Sequence, residues 1–511
     1  MTAVELQRLT EEDLSRGMFT ARAPERIPAG GAFDITNGLL DEQNVVYRRG
    51  GSSYRCATPL GEPRALFDAY LAHGGQQELL VTDKGVFHIE ADGYASYPEF
   101  LGSPPMAALG RVTIFEGVVY FSGGVTFDGE VRSEAGEKRA FYASAGGRLL
   151  AGEGNKINFT QVPTTSGEAL KWEPTNYHQL PDGVRITGME GLRTSCVVFT
   201  TEGIWVIGNL EKELTDEEGN VQQTLDRYSA DAVLWGEAGI GAWSGGLIVP
   251  CRDNIWLMEL GVSSEKAAPF VHVSDPIQNV YRGYVAAGFS PGVAVVHRGH
   301  YFLPILSGTT VVDVLVVRLD ATNSRGQHTY PWTHLTGSGV ANAAMAVTDE
   351  DGALIGAQTG LGRVLNLGFF EPGAAFATDA DGAVVPFSVT YRDLLTGNLI
   401  RNLVAKARLS YRMTGSPDAR LQLSFAETPY GGAYWDEFNW DEADWSEAGG
   451  GFDQLTPLRP AGPDPEALTP AVWRVRRKVR FARVKVTLVG SANEVSLRAL
   501  ELFVRQDGRL I

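Results

Sequence analysis

A chain of 511 residues with 44% hydrophobic residues, 60 glycines and 25 prolines has enough apolar material for a large core and enough turn formers to favour strands over helices. Its formal net charge of −17 is spread along the sequence, which disfavours general affinity for nucleic acid and suits a surface past which DNA slides without sticking, because like charge repels phosphate. No run of ~18 uninterrupted apolar residues occurs, so no membrane-spanning helix is expected. The acidic start MTAVELQRLTEEDLSRG has no hydrophobic stretch of the export-signal kind. The three cysteines Cys56, Cys196 and Cys251 read as buried small hydrophobes of a protein that folds in a reducing cytoplasm.

Residues 1–60 read as an extended arm. A short helix is expected over Thr10 to Leu14, and Pro24, Pro28 and Gly30-Gly31 end it. Turns follow at Asn37-Gly38 and Asp41 to Asn44, then a strand from Val45 to Tyr47 that runs into Arg48-Arg49-Gly50-Gly51. Such an arm could close a ring or dock on a neighbour.

Residues 61–372 repeat one hairpin. Leu79 to Ile89 (LLVTDKGVFHI), Cys196 to Ile207 (CVVFTTEGIWVI) and Leu247 to Met258 (LIVPCRDNIWLM) each place an apolar strand, a polar turn, an aliphatic-aromatic pair and a second strand in the same order. The turn residues Gly85, Gly203 and Asn254 are the types that accept positive φ most cheaply. Weaker copies lie at Tyr301 to Leu319 and Ala353 to Leu367, and Val112 to Gly123 forms another hairpin about Glu116-Gly117. Spacings of roughly 50 residues between strand-rich repeats predict a β-propeller of five to seven blades, with six favoured. The second blade reads as irregular: a polar insertion at Asp128 to Lys138 precedes Phe141 and a strand at Lys156 to Thr160. A charged insertion, Glu211 to Tyr228, sits on the third; both are expected on one face, where partners bind.

Residues 373–511 change character. A small-residue linker from Gly373 leads to a turn at Asp379 to Gly382, and evenly alternating strands at Phe387 to Tyr391, Ala405 to Tyr411, Leu421 to Phe425, Val472 to Val489 and Val495 to Val504 predict an antiparallel β-sandwich. Two features stand out there. In YWDEFNWDEADW, Trp435, Trp440 and Trp445 recur every five residues among acids; exposed indoles mark contact surfaces, the alternative being a loop packed on itself. In VWRVRRKVRFARVK, Arg474, Arg476, Lys478 and Arg480 fall on one side of a strand and Val475, Val479 and Phe481 on the other, with the phase flipping after Ala482 as a bulge would make it. That basic row could bind a partner subunit or touch DNA, although pairing with the acidic Trp loop is the preferred reading.

Chemistry is sparse. His297 and His300, three apart on a hairpin, are expected on opposite faces and so unable to share a metal, and His328 and His334 read as surface or packing residues. Asp379 and Asp381 start like a calcium loop but lack its later ligands and closing glutamate. No GxxxxGK or GxSxG motif occurs, and the sialidase turn has only a loose likeness at Thr82 to Gly85. No catalytic, cofactor-binding or metal-binding residue is expected, and no cofactor.

The opening segment, with Leu14-Ser15-Arg16-Gly17-Met18 leading to Ile27-Pro28, Asn37-Gly38-Leu39-Leu40-Asp41 and Arg48-Arg49-Gly50-Gly51, resembles the start of tailed-bacteriophage tail and neck proteins. The Trp-Asp triplet at Trp435, Trp440 and Trp445 and the ending Phe481 to Asp507 are similar to the C-terminal sheets of such virion proteins. Gln43-Asn44 departs from the glycine-containing turn more usual there. The resemblance implies a non-enzymatic tail nozzle, hub or neck-adaptor subunit in a homo-oligomeric ring, a hexamer being favoured. Its expected partners are other tail or neck proteins and DNA in transit, and its expected location is the virion, without membrane insertion. The alternative is a carbohydrate-recognising or glycan-cleaving propeller used in host adsorption.

Overall fold

The computed structural model describes residues 6–510 apart from 23–25, 73–74, 90–98, 130, 134–138, 164–169, 216–217, 219–220, 244–245, 260–269, 324–325, 338–342, 349–351, 372–375, 395–399, 416–418, 427–452, 455–468 and 480–481. The protein is all-β, 59% strand and 5% helix, and its arrangement is propeller-like. Sheet A contains Pro63–Leu71, Gly75–Thr82, Val86–Ile89 and Glu99–Gly102; sheet B contains Thr113–Phe115, Val118–Phe121, Val125–Phe127 and Val131–Ser133. Sheet C contains Phe141–Ala145, Arg148–Glu153, Lys156–Thr160 and Trp172–Gln179, and sheet D contains Ile186–Leu192, Ser195–Thr200, Gly203–Gly208 and Thr224–Ser229. Sheet E contains Gly241–Trp243, Gly246–Pro250, Ile255–Glu259 and Phe270–His272. All five are antiparallel meanders of consecutive strands.

The repeated hairpins occupy the two middle strands of their sheets, where apolar residues are needed on both faces. Leu79, Leu80 and Val81 in sheet A and Cys196, Val197, Val198 and Phe199 in sheet D are all fully buried. Gly203 turns at φ +113°, and a Cβ there would stand 2.0 Å from the Ser229 carbonyl oxygen. The fourth strand of sheet D therefore demands that glycine as much as the turn does. Asn254, expected to adopt positive φ, is not among the left-handed residues. Its side chain is used instead: Oδ1 accepts from Ser274 Oγ at 3.2 Å and Gln278 Nε2 at 3.1 Å, tying sheet E to the helix Gln278–Ala286.

The irregular second repeat resolves into two sheets, B and C. Sheet C turns at Gly146-Gly147 between its first two strands and at Gly154-Asn155 between its middle two, with Gly154 at φ 62°, so the middle hairpin goes on with Lys156-Ile157 rather than with an aliphatic-aromatic pair. Arg148 is wholly buried there and donates to the carbonyls of Leu210 and Thr160 at 2.7 and 2.8 Å. Within the expected charged insertion, Thr224–Ser229 is the fourth strand of sheet D.

Two further sets of strands follow. Val295–His297, His300–Ser307, Thr310–Arg318 and Trp332–Leu335 (sheet F) belong to an eleven-stranded sheet. Ala343–Thr348, Leu354–Gln358 and Val364–Leu367 are completed as sheet G by Ser52–Cys56 from far upstream, with Val364 opposite Cys56 and Leu367 opposite Ser52. Apolar clusters join neighbours in turn. Phe67 of sheet A packs with Phe121 of B, Ile157 of C with Val198 of D, Phe302 of F with Leu367 of G, and Ile355 of G with Leu80 of A. Each sheet thus buries its faces on the next, and the last meets the first.

Sheet F does not stop at Trp332–Leu335. Gly17–Met18 and Gly31–Thr36 add to it in parallel and lead on to Ser388–Tyr391, Arg483–Val489 and Arg420–Ala426. A second sheet runs Thr469–Val479, Ile400–Gly415, Ala492–Leu510, Val46–Arg48, Gly38–Leu40. One buried cluster, including Leu409, Tyr411, Leu421, Phe425, Val486 and Leu500 with Ile35 and Val46, lies between these layers. The helix expected over Thr10 to Leu14 is corrected: Gln7–Glu11 is a strand on Ala492–Leu510, with Leu9 opposite Leu502. The segment has no apolar stripe at helical spacing with which to pack a helix, whereas the ladder pairs its backbone and lays Leu9 against the core.

Candidate interaction surface and its anchoring

Thr469–Val479 is an edge strand and alternates as expected. Ala471, Trp473 and Val475 are buried, whereas Val472 is 54% exposed and Arg474 and Arg476 face outward. Arg476 adopts φ +52° where the register slips between Val404 and Lys406. The bulge costs roughly 1 kcal/mol of backbone energy at a non-glycine residue, and Arg474 and Arg476, two apart in the strand, share the outer face. Lys478 lies in the strand, while Arg480, Trp435, Trp440 and Trp445 lie outside the described residues, and so does any pairing between the basic row and the acidic Trp loop. The phase change after Ala482 is a change of sheet and not a bulge: Arg483–Val489 pairs with Ser388–Tyr391 and Arg420–Ala426.

Across the outer sheet two rows of side chains run perpendicular to the strands. One passes Arg474, Lys406, Phe503 and Arg8; the next passes Val472, Arg408, Glu501 and Thr10. Lys406 Nζ sits 4.1 Å from the centre of the Phe503 ring, a cation-π contact. Glu501, almost buried, is paired with Arg8 and, at 3.5 Å, with Arg408. Arg412 meets Glu494 at 4.0 Å. Arg474 and Arg476 have no carboxylate partner among the described residues, so a positive face stands on a chain of charge −17.

The face is anchored by the Arg48-Arg49-Gly50-Gly51 segment. Arg49 Nε donates to Asn37 Oδ1 at 2.9 Å, and its Nη1 and Nη2 donate to the two oxygens of Asp379 at 3.0 and 3.1 Å, with both side chains fully buried. Arg48 Nη2 donates to the Ala492 carbonyl at 2.6 Å, and burial, helped by the neighbouring Arg49 charge, lowers its pKa to about 10. A Cβ at Gly50 or Gly51 would lie 1.8 Å from the carbonyl oxygen of Gly368 or Thr378. The motif is therefore a junction at which the chain before sheet A meets the chain after sheet G. The Asp379 turn exists, with Gly382 N–H donating to the Asp379 carbonyl at 2.8 Å, but its carboxylate serves Arg49.

His334, expected as a surface or packing residue, is a second tie. Its Nε2 lies 3.0 Å from Asp34 Oδ1 and its Nδ1 3.3 Å from Asp313 Oδ1, while Tyr284 Oη donates to Asp313 Oδ2 at 2.7 Å. Burial pulls the imidazole pKa down, but Asp313 and Asp34 outweigh it and hold the group well above its ordinary value. For Asp34, burial acts upward and the His334 charge wins, leaving the carboxyl below its usual range.

His297 and His300 are directly opposite one another across the Arg298-Gly299 turn. Residues flanking a two-residue turn share a face, so the expectation of opposite faces is corrected. Both rings pack on Phe370 at 5.3 and 5.1 Å, and among the described residues no group of three or more potential metal ligands occurs. The three cysteines are buried and free, and burial pushes the Cys196 and Cys251 thiols far up. No helix of the described residues is long and apolar enough to cross a membrane.

The fold and this surface define an all-β, propeller-like protein with a welded C-terminal pair of sheets. No protein-family profile and no curated protein matches the chain. Among solved structures it is similar to the extracellular domain of a hybrid two-component system from B. thetaiotaomicron (11% identity, TM-score 0.39, 62% of this chain and 39% of that one). The chain thus spans about two-fifths of that domain's length. It is also similar to YCF48 from Cyanidioschyzon merolae (10%, 0.38, 62% and 98%) and to the Neurospora crassa Pan2 WD40 domain (9%, 0.39, 64% and 97%). None of the three is a phage tail protein.

Proposed function

We propose that the chain is a structural subunit of a tailed-bacteriophage virion, a tail nozzle, hub or neck adaptor without enzymatic activity, in which sheets A to G act as seven blades of a propeller and the two C-terminal sheets as a β-sandwich. Seven lies at the upper end of the expected range and exceeds the favoured six because the second repeat counts twice. The observation that carries the reading is the segregation of charge: an edge strand presents Arg474 and Arg476 beside Lys406 on a chain of net charge −17. A basic patch on one copy and an acidic surface on the next make a heterologous, head-to-tail contact, the kind that closes into a ring. The opening-segment resemblance supports the same class, and the acidic remainder suits DNA in transit.

Mass photometry of the purified chain at about 100 mM salt tests this directly. A ring of defined order, a hexamer being favoured, is expected, and the double substitution Arg474→Glu with Arg476→Glu should dissociate it without unfolding. A strictly monomeric wild type in the presence of its virion neighbours overturns the reading. Trp440→Ala tests the Trp loop separately: assembly indistinguishable from wild type would remove that loop from the interface.

A further inference from the structure

The first strands of sheets B, C and D neighbour one another and the one-turn helix Glu237–Gly239, and together they line a partly open cavity of about 170 Å³. Arg111, Thr113, Tyr142, Glu190 and Glu237 stand in its wall. Arg111 Nη1 is held on the Glu190 carboxylate, and both side chains stay partly open, at 25% and 19% exposure. Glu237 is different. Among the described residues the only hydrogen bond to its carboxylate is a long one, 3.5 Å, from the Met189 N–H to Oε1. Burial raises its pKa to about 7 against the opposing charge of Arg111. Half-buried in the wall, this carboxylate keeps most of its hydrogen-bonding capacity for whatever enters the cavity.

The wall selects among partners. A metal cation would meet the Arg111 guanidinium and too few ligands, and an anion would face Glu190 and Glu237. A neutral molecule rich in hydroxyls meets acceptors on two carboxyls and donors on one guanidinium, while Ile114, 37% exposed, supplies an apolar patch for a C–H face. The volume is below the ~300 Å³ of drug-sized pockets, room for one sugar ring. We propose that this cavity binds a neutral monosaccharide, free or as the terminal residue of a glycan, through Arg111, Glu190 and Glu237. The site does not depend on ring assembly, since a monomer could bind sugar and a ring could form without it.

Titration calorimetry of the full chain with D-glucose, D-galactose, D-mannose and N-acetyl-D-glucosamine, and with disaccharides ending in each, tests the proposal. Saturable binding of at least one probe is expected, with Kd on the order of 1 mM. Glu237→Ala should weaken it about tenfold or more, as loss of a hydrogen bond to a charged group does, whereas Glu237→Gln should retain most of it. Ile114→Glu, at an exposed position where folding is not at stake, should abolish binding by placing charge in the wall. A disaccharide that binds at least as well as its end sugar assigns the site to a glycan terminus; binding of the monosaccharide alone assigns it to free sugar. The proposal is overturned if the folded wild type shows no saturable binding of any probe, or if Glu237→Ala and Ile114→Glu bind as the wild type does.

Discussion

Sheets A to E are each assembled from consecutive strands joined by short turns, whereas the junction around Arg48 and Arg49 is assembled from segments 330 to 444 residues apart. The two regions are stabilised differently. In the sheets, apolar faces are buried against adjacent sheets, a non-directional term that tolerates many sequences. At the junction, buried charges and glycine-only close approaches leave no such latitude, because an unmatched charge or an added Cβ has nowhere to go. Damage in a sheet should therefore stay local, and damage at the junction should release both ends of the chain at once.

The largest expected effect is at Arg49→Met, which leaves Asp379 buried without its bidentate partner. A loss of about 3–5 kcal/mol is expected in urea unfolding, together with faster hydrogen exchange in both Ser52–Cys56 and the other three strands of sheet G. Exchange confined to one side would break the comparison. Gly203→Ala comes next: its methyl group would press on the Ser229 carbonyl at positive φ, for about 1–3 kcal/mol. Here accelerated exchange should be limited to sheet D and its neighbours, and spread to the junction would argue against local failure.

The His334 tie gives a pH-dependent effect whose sign follows from its neighbours. The imidazole pKa is raised in the folded state, so its contribution is complete below the unfolded value of about 6.5 and is lost as pH rises through the folded value. Asp34, lowered, contributes above the ordinary carboxyl range and loses that contribution as pH falls through its folded value. Urea midpoints measured across this range should show a plateau between the two limbs, and His334→Asn should flatten the alkaline limb; an unchanged limb would remove His334 from the junction. The smallest effect belongs to the outer face: Arg474→Ser with Arg476→Ser should alter stability by no more than about 0.5 kcal/mol. A larger loss in the monomer would mean that the row serves the fold rather than a partner.

Legibility followed the same division. The hairpins at Leu79, Cys196, Leu247, Tyr301 and Ala353 could be read because apolar strands and the polar or glycine turns between them are encoded within one to two dozen residues. Sheet C was hidden because its middle hairpin turns on Gly154-Asn155 and continues with Lys156, where the three clear copies have an aliphatic residue. Of the candidate interface, alternation alone placed Arg474 and Arg476 on one face with Trp473 and Val475 beneath. Their cross-strand neighbours Lys406, Phe503 and Arg8 could not be inferred, since register between strands hundreds of residues apart has no local signal. Glu237 carried no motif either: it became notable only when the first strands of three sheets lined a shared cavity beside it.

From the sequence alone follow the all-β class, the repeated hairpin, the inert cysteines and the exposed basic alternation, each a consequence of composition or of short-range periodicity. Only the tertiary structure decided that Ser52–Cys56 completes sheet G, that Arg49 belongs to Asp379, that His334 lies between two aspartates, and that Arg111, Glu190 and Glu237 share one cavity. The physical reason is range: a turn is selected by the conformational energy of neighbouring residues, whereas a buried charge is placed by whichever distant group can neutralise it.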